Sequence, residues 1–290
     1  MNEPLFRGVC TALVTPFLDD AINYPMVEML LKRQIDAGIH SVVLSGTTGE
    51  SPALSDSEKL ELFRRAKAYV GNDCQIIAGT GSNNTAHTVH LSRLAQDAGV
   101  DGLLIVSPYY NKGSVDSLEK HFCAILQSVS VPIVLYNVPS RTGQDMSVEL
   151  YRRLAKYPNI AGVKEAGTDL TKITKIRTAC GSRFSVWSGN DDLTVPVISL
   201  GGSGVVSVTS NIAPTEVAAM TNAAIDGDFD TAAELQCRLQ ALNELMFCEV
   251  NPIPIKAAMR YIGYDCGGCR LPLGDPSPDT KKKMSAFFGS

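Results

Sequence analysis

No stretch of this sequence reaches the ~18 consecutive apolar residues that a membrane-spanning helix needs. Nor is there an excess of positive charge. Lys and Arg number 26 against 30 Asp and Glu, giving a formal net charge of -4 and a pI of about 5.6. Nucleic acid asks for the opposite, a basic footprint. The start, Met1-Asn2-Glu3-Pro4-Leu5-Phe6-Arg7, lacks the basic-then-apolar order of a secretory signal. Cys266-Gly-Gly-Cys269 has no second Cys-x-x-Cys to complete a zinc site, and none of the four histidines (His40, His87, His90, His121) lies near it in sequence. It reads as two ordinary thiols in a Gly-rich loop. The other six of the eight cysteines are scattered and read as small buried hydrophobes, which fits a reducing cytoplasm. His-Glu-x-x-His, the P-loop and the Gly-x-Ser-x-Gly elbow are all missing. His87 and His90 share one face of an expected helix and read as an exposed pair, so no metal is expected. The chemistry must come from side chains.

What is present is a long chain with enough apolar residues for a large core. It has 290 residues, 44% hydrophobic and 19% charged, which excludes disorder and coiled coil. Its length allows one or two domains. Eight short apolar, β-branched runs stand at Val9–Val14, Ser41–Ser45, Gln75–Gly79, Gly102–Ser107, Pro132–Asn137, Ile160–Glu165, Phe184–Ser188 and Gly204–Thr209. They start roughly 20 to 35 residues apart, the spacing of βα units. Helical spacing fills the gaps, as in Val27, Leu30, Leu31 and Ile35. Ser55-Asp56-Ser57-Glu58 offers a capping box, Asn84 a cap, and Gly38 and Gly99 helix stops. Runs that are apolar throughout imply strands covered on both faces, hence a parallel sheet. Eight units in series predict an α/β fold, a (β/α)8 TIM barrel, over residues 1–209. A doubly wound open sheet is the alternative, weakened by the lack of a Gly-x-Gly-x-x-Gly turn. Residues 210–290 predict a C-terminal helical extension packed on the barrel, with helices at Pro214–Ala224, Asp230–Phe247, Ile255–Ile262 and Thr280–Phe288.

In such barrels the chemistry lies where strands end. Lys164 directly follows Ile160-Ala161-Gly162-Val163. Burial there disfavours the ammonium, and a neutral amine can attack a carbonyl to form a Schiff base. The plainer reading is an ion pair with Glu165 or another acid. Tyr136 ends the neighbouring run, where a phenol can relay protons to a carbinolamine; it can equally be a core tyrosine. Thr47 and Thr48 lie between Gly46 and Gly49, where backbone and hydroxyls can hold a carboxylate or simply close a turn. Arg141 stands in a Pro-Ser-Arg-Thr-Gly loop, suited to bidentate capture of a carboxylate or to a solvated surface position.

Gly-Thr-Thr-Gly-Glu (46–50), Tyr109-Tyr110, Tyr-Asn-Val-Pro-Ser-Arg-Thr-Gly (136–143), Val-Lys-Glu-Ala (163–166) and Asn-Pro-Ile-Pro-Ile-Lys (251–256) stand in this order. Each is weak alone, and the ordered set is specific. With it the sequence resembles, essentially end to end, the dihydrodipicolinate (4-hydroxy-tetrahydrodipicolinate) synthase family. These are pyruvate-dependent Schiff-base lyases related to N-acetylneuraminate lyase. The resemblance implies that Lys164 forms an imine with pyruvate and that Tyr136 is the proton donor and acceptor beside it. Thr47 would pass protons between Tyr136 and Tyr110, the latter reaching in from a neighbouring subunit. Thr48 would hold the pyruvate carboxylate, Arg141 the carboxylate of L-aspartate 4-semialdehyde, and Gly189 and Val206 would line the pyruvate pocket. It further implies lysine and diaminopimelate biosynthesis, a cytoplasmic homo-oligomer (a tetramer built as a dimer of dimers), and no cofactor, because the lysine imine is the electron sink.

Many members bind L-lysine as a feedback inhibitor at Ser51, Pro52, Asp56, Lys59, Asn83, His87 and Tyr109. Two of these positions depart from the responsive pattern. Lys59 replaces a usual His or Glu, and His87 replaces an acid that would meet the effector's ammonium. A site with one acid fewer and one cation more repels a cationic ligand, so lysine inhibition is expected to be weak or absent. A sister aldolase acting on N-acetylneuraminate or a 2-keto-3-deoxy sugar acid is the nearest rival. Arg141 and Tyr110 in their contexts favour the synthase. A non-catalytic carboxylate sensor has no need of the Lys-Tyr-Thr-Tyr set.

Overall fold

A computed structural model of the chain describes residues 4–289. Met1, Asn2 and Glu3, with which the segment read for a targeting signal begins, lie outside them. The strands in chain order are β1 (Gly8–Ala12), β2 (Phe17–Leu18), β3 (Ala21–Ile22), β4 (Ser41–Leu44), β5 (Gln75–Gly79), β6 (Gly102–Val106), β7 (Ile133–Asn137), β8 (Ile160–Glu165), β9 (Ser185–Ser188) and β10 (Gly204–Ser207). Eight of them close a ring in the order β1-β10-β9-β8-β7-β6-β5-β4, and every pair in it is parallel. The fold is thus a (β/α)8 barrel with C-terminal helices, not an open doubly wound sheet. All eight expected runs became ring strands: Gln75–Gly79 and Ile160–Glu165 as they stand, the first shifted to Gly8–Ala12, and the other five shortened by one or two residues. The hairpin of β2 and β3 was not expected; its turn residues Asp19 and Asp20 both carry positive φ.

The ring closes where β1 meets β10. Gly8 pairs with Gly204, and a Cβ on Gly204 would lie 1.9 Å from the Gly8 carbonyl oxygen. Only glycine lets the backbones approach so closely. Inside the ring, Cys10, Val43, Ile77, Leu104, Tyr136, Trp187 and Val206 pack into one interior cluster, with Phe6 stacked on Trp187 at 4.6 Å. Outside, apolar helix stripes such as Val27, Leu30 and Leu31 complete a second layer of core.

The helices are α1 (Tyr24–Asp36), α2 (Asp56–Val70), α3 (Thr85–Asp97), α4 (Val115–Leu126), α5 (Pro139–Thr142), α6 (Val148–Leu154), α7 (Leu170–Cys180), α8 (Thr194–Ser199), α9 (Pro214–Asp226), α10 (Phe229–Met246), α11 (Ile253–Tyr261) and α12 (Pro278–Phe288). Eight of these helices start on a side-chain cap, and α5, α8, α9 and α11 do not. Ser55 and Glu58 form the expected box on α2, and the Asn84 side chain accepts from His87 N at 3.0 Å. Gly38 and Gly99 follow the ends of α1 and α3 with φ of +78° and +84°. α9 packs on β1, β10, α8 and α10, the place of the eighth helix of the ring. We propose on that ground that the barrel unit runs to Asp226 and that the extension, placed by sequence at 210–290, begins with α10. No strand follows β10 among the described residues, and none of their helices is long and apolar enough to cross a membrane.

Candidate active site

β7 and β8 set the centre of the site. Their register places Tyr136 opposite Lys164, and the Lys164 Nζ lies 4.3 Å from the centroid of the Tyr136 ring. Both side chains are buried, at 5% and 6% exposure. Lys164 makes no hydrogen bond or ion pair with a described residue, and the plainer reading of a Lys164–Glu165 pair fails for a geometric reason. Successive strand residues point to opposite faces. Glu165 therefore turns away from the barrel interior. Its carboxylate accepts from Asn137 Nδ2 at 2.7 Å, Gly167 N at 2.9 Å and the Tyr151 hydroxyl at 3.2 Å, and meets Lys172 Nζ at 3.1 Å. Burial beside this carboxylate pushes the Tyr151 phenol well above its ordinary pKa.

A second buried carboxylate, Asp191, stands just after β9. It accepts from Ser207 Oγ and from Val208 N at 2.9 Å. Burial raises its pKa, and those hydrogen bonds together with the charge of Lys164 oppose the rise. Val206 is buried in the interior cluster with Tyr136. Gly189 donates its N–H to Glu165 O at 2.7 Å, and a Cβ there would stand 2.6 Å from that of Ala166.

Thr47, Tyr136 and Arg141 line one cavity of about 560 Å³. Thr48 is buried beside them, and its Oγ1 accepts a hydrogen bond from Asn251 Nδ2 at 3.0 Å. Arg141 is held by its Nη2, which donates to Asn251 O at 3.0 Å. It does not lie in an irregular loop as expected. Pro139 at the first position and Gly143 beyond the last make residues 139–142 a single helical turn, α5. Ser51, Pro52, Asp56, Lys59, Asn83, His87 and Tyr109 line the same cavity. Within it His87 Nε2 meets Asp56 Oδ2 at 2.8 Å, while burial lowers the pKa of the Lys59 ammonium. Lys164, Thr48, Gly189 and Val206 do not line this cavity, and neither does Tyr110. Tyr110 is 91% exposed, on a backbone with φ of +71°.

One residue of the site escaped the reading of single motifs. Asn251 touches both Thr48 and Arg141 yet lies far from either in sequence. Asn251-Pro252 reads locally only as a turn.

Residues 5–288 match the model of the Dihydrodipicolinate synthetase family. A protein from Thermoanaerobacter sp. (strain X514), named 4-hydroxy-tetrahydrodipicolinate synthase, is 42% identical over 275 residues, covering 94% of this chain and 93% of its own. A protein of the same name from Methanococcus maripaludis (strain C6) is 44% identical over 279 residues, covering 96% of each. Among solved structures, the 4-hydroxy-tetrahydrodipicolinate synthase of the methanotroph Methylacidiphilum fumariolicum SolV superposes with a TM-score of 0.96. It is 41% identical and covers 98% of this chain and 95% of its own.

Proposed function

The chain belongs to the dihydrodipicolinate synthetase family, and from that membership and the geometry of the site we propose the reaction it performs. It is a lyase that condenses pyruvate with L-aspartate 4-semialdehyde to give 4-hydroxy-tetrahydrodipicolinate, a step of lysine and diaminopimelate biosynthesis. The observation that carries this reading is the buried Lys164, without a direct ion pair among the described residues and set against Tyr136 in register.

The chemistry follows from those two groups. The Lys164 amine, once it has given up a proton, adds to the keto carbon of pyruvate, and the carbinolamine loses water to an imine. Tyr136 supplies the proton for the departing hydroxyl and can take one back. Loss of a proton from the pyruvate methyl group gives an enamine, whose carbon attacks the aldehyde carbon of the semialdehyde. The semialdehyde's own amine then displaces Lys164 and closes the ring. Thr48 is proposed to hold the pyruvate carboxylate, Arg141 the semialdehyde carboxylate, and Gly189 and Val206 to wall the pyruvate pocket. Thr47 is proposed to pass protons between Tyr136 and the Tyr110 of a second copy. An exposed tyrosine on a left-handed backbone, outside the cavity of its own chain, supports such a role and with it a homo-oligomer. All eight cysteines are free, which suits the cytoplasm.

Borohydride reduction in the presence of pyruvate tests the central step. The protein should become irreversibly labelled at Lys164, and Lys164→Ala should abolish both labelling and turnover. Turnover is followed with both substrates, coupled to the next reductase through loss of NADPH absorbance. Labelling without synthase turnover would move the activity to another pyruvate aldolase; labelling retained in Lys164→Ala would mean the wrong lysine.

A further inference from the structure

The C-terminal segment supplies a group to this site that no strand end provides. Asn251 lies just before α11, is 5% exposed, and donates its amide N–H to Thr48 Oγ1. A threonine hydroxyl has one hydrogen to give and lone pairs to receive. Once a lone pair is taken by Asn251, the Thr48 hydrogen is directed elsewhere, free for an acceptor. A carboxylate is acceptor only. The Asn251 Oδ1, buried and without a partner among the described residues, does not compete for that hydrogen.

We infer that Asn251 is a positioning residue that turns the Thr48 hydroxyl into a donor for the pyruvate carboxylate. The inference rests on the reading of Thr48 given above. Its main-chain oxygen also fixes Arg141, so one residue sets both carboxylate holders, by two separable bonds. The side chain acts on the pyruvate end. The backbone acts on the semialdehyde end and survives any substitution of the side chain.

That separation makes the role testable. Asn251→Asp keeps the shape but offers only acceptors, so it takes the Thr48 hydrogen away from the substrate. The KM for pyruvate should rise by about tenfold or more, the scale of one hydrogen bond to a charged group. The KM for the semialdehyde should stay within about twofold, because the bond to Arg141 remains. Labelling by borohydride at saturating pyruvate should still go to completion. Thr48→Val should mimic the defect, and the double variant Asn251→Asp/Thr48→Val should be no worse than Thr48→Val alone. If the new charge prevents folding, Asn251→Ala carries the same test. An unchanged pyruvate KM, an equal rise for both substrates, or additive effects in the double variant would overturn the inference. Failure of the wild-type protein to be labelled at all would instead remove the lysine reading, and this inference with it.

Discussion

Glu50 and Lys256, 206 positions apart, meet at 2.8 Å with side chains 0% and 2% exposed. All three ammonium donors of Lys256 are engaged, by Glu50 Oε1, by Thr15 O at 3.0 Å and by Gly268 O at 2.7 Å. The other Glu50 oxygen accepts from Arg270 N at 2.8 Å. The Phe17 ring lies 4.2 Å beneath the ammonium. The pair therefore ties the loop that carries Thr47 and Thr48 to the C-terminal segment that carries Asn251.

Breaking one side of that pair leaves a buried charge unmatched. Glu50→Gln or Lys256→Met should each lower stability by about 3–5 kcal/mol, and the double change by less than the sum of the two. Urea unfolding of the three variants measures this. Simple additivity would show that the two residues act independently.

His121 predicts a pH effect on stability. It is buried between α3 and α4, with Nδ1 at 2.8 Å from Thr85 Oγ1 and Nε2 without a partner among the described residues. Burial pushes its pKa down to about 4 from an ordinary 6.5. The unfolded chain thus takes up a proton at a higher pH than the folded one. The stability it contributes is full above pH 6.5 and is lost as the pH falls from there toward 4, by up to about 3 kcal/mol. His121→Gln should remove that slope. Chemical denaturation of both proteins between these pH values decides it, and parallel slopes would refute the assignment.

The barrel was legible because the ring strands are covered on both faces and so read as short, mostly apolar runs, most clearly Gly102–Val106. Lys164 and Tyr136 were legible because strand ends are where such barrels place their chemistry. Asn251, Glu50 and Lys256 were not legible as a group. Asn251 meets Thr48, and Lys256 meets Glu50, across more than 200 residues of sequence, and no local pattern encodes a contact of that span. The β2–β3 hairpin was missed because two strands of two residues carry no periodicity, although Asp19-Asp20 is turn chemistry of a recognisable kind. Arg141 was placed in a loop because one turn of helix is too short to show a 3.6-residue repeat.

The cavity next to Thr47 argues against a cationic effector. Asp56 is the one acid among its lining residues, and His87 already occupies it. Lys59, buried in the same wall, adds a positive charge. An ammonium entering there meets Lys59, His87 and Arg141, and the one carboxylate is already paired. Millimolar L-lysine should therefore leave the initial rate essentially unchanged. Half-inhibition at sub-millimolar L-lysine would contradict this.

The alignment of Lys164 with Tyr136 depends on one glycine. Ile133 pairs with Ile160, but Val134 pairs with Gly162, so Ala161 is an extra residue in β8. This bulge advances the strand by one position and brings Lys164, rather than Val163, opposite Tyr136. Gly162 holds it with φ of +149°, and a Cβ there would lie 1.9 Å from the Ser185 carbonyl oxygen on β9. No side-chain rotation relieves a clash with backbone. Gly162→Ala should lower stability by at least about 2 kcal/mol. In the protein that still folds, labelling by pyruvate and borohydride should slow, because β8 must shift against both neighbours and carry Lys164 with it. Thermal unfolding and the labelling rate, measured on the same sample, separate the two effects. A variant that unfolds more easily yet labels at the wild-type rate would mean that the bulge serves barrel closure alone and that Lys164 keeps its place without it.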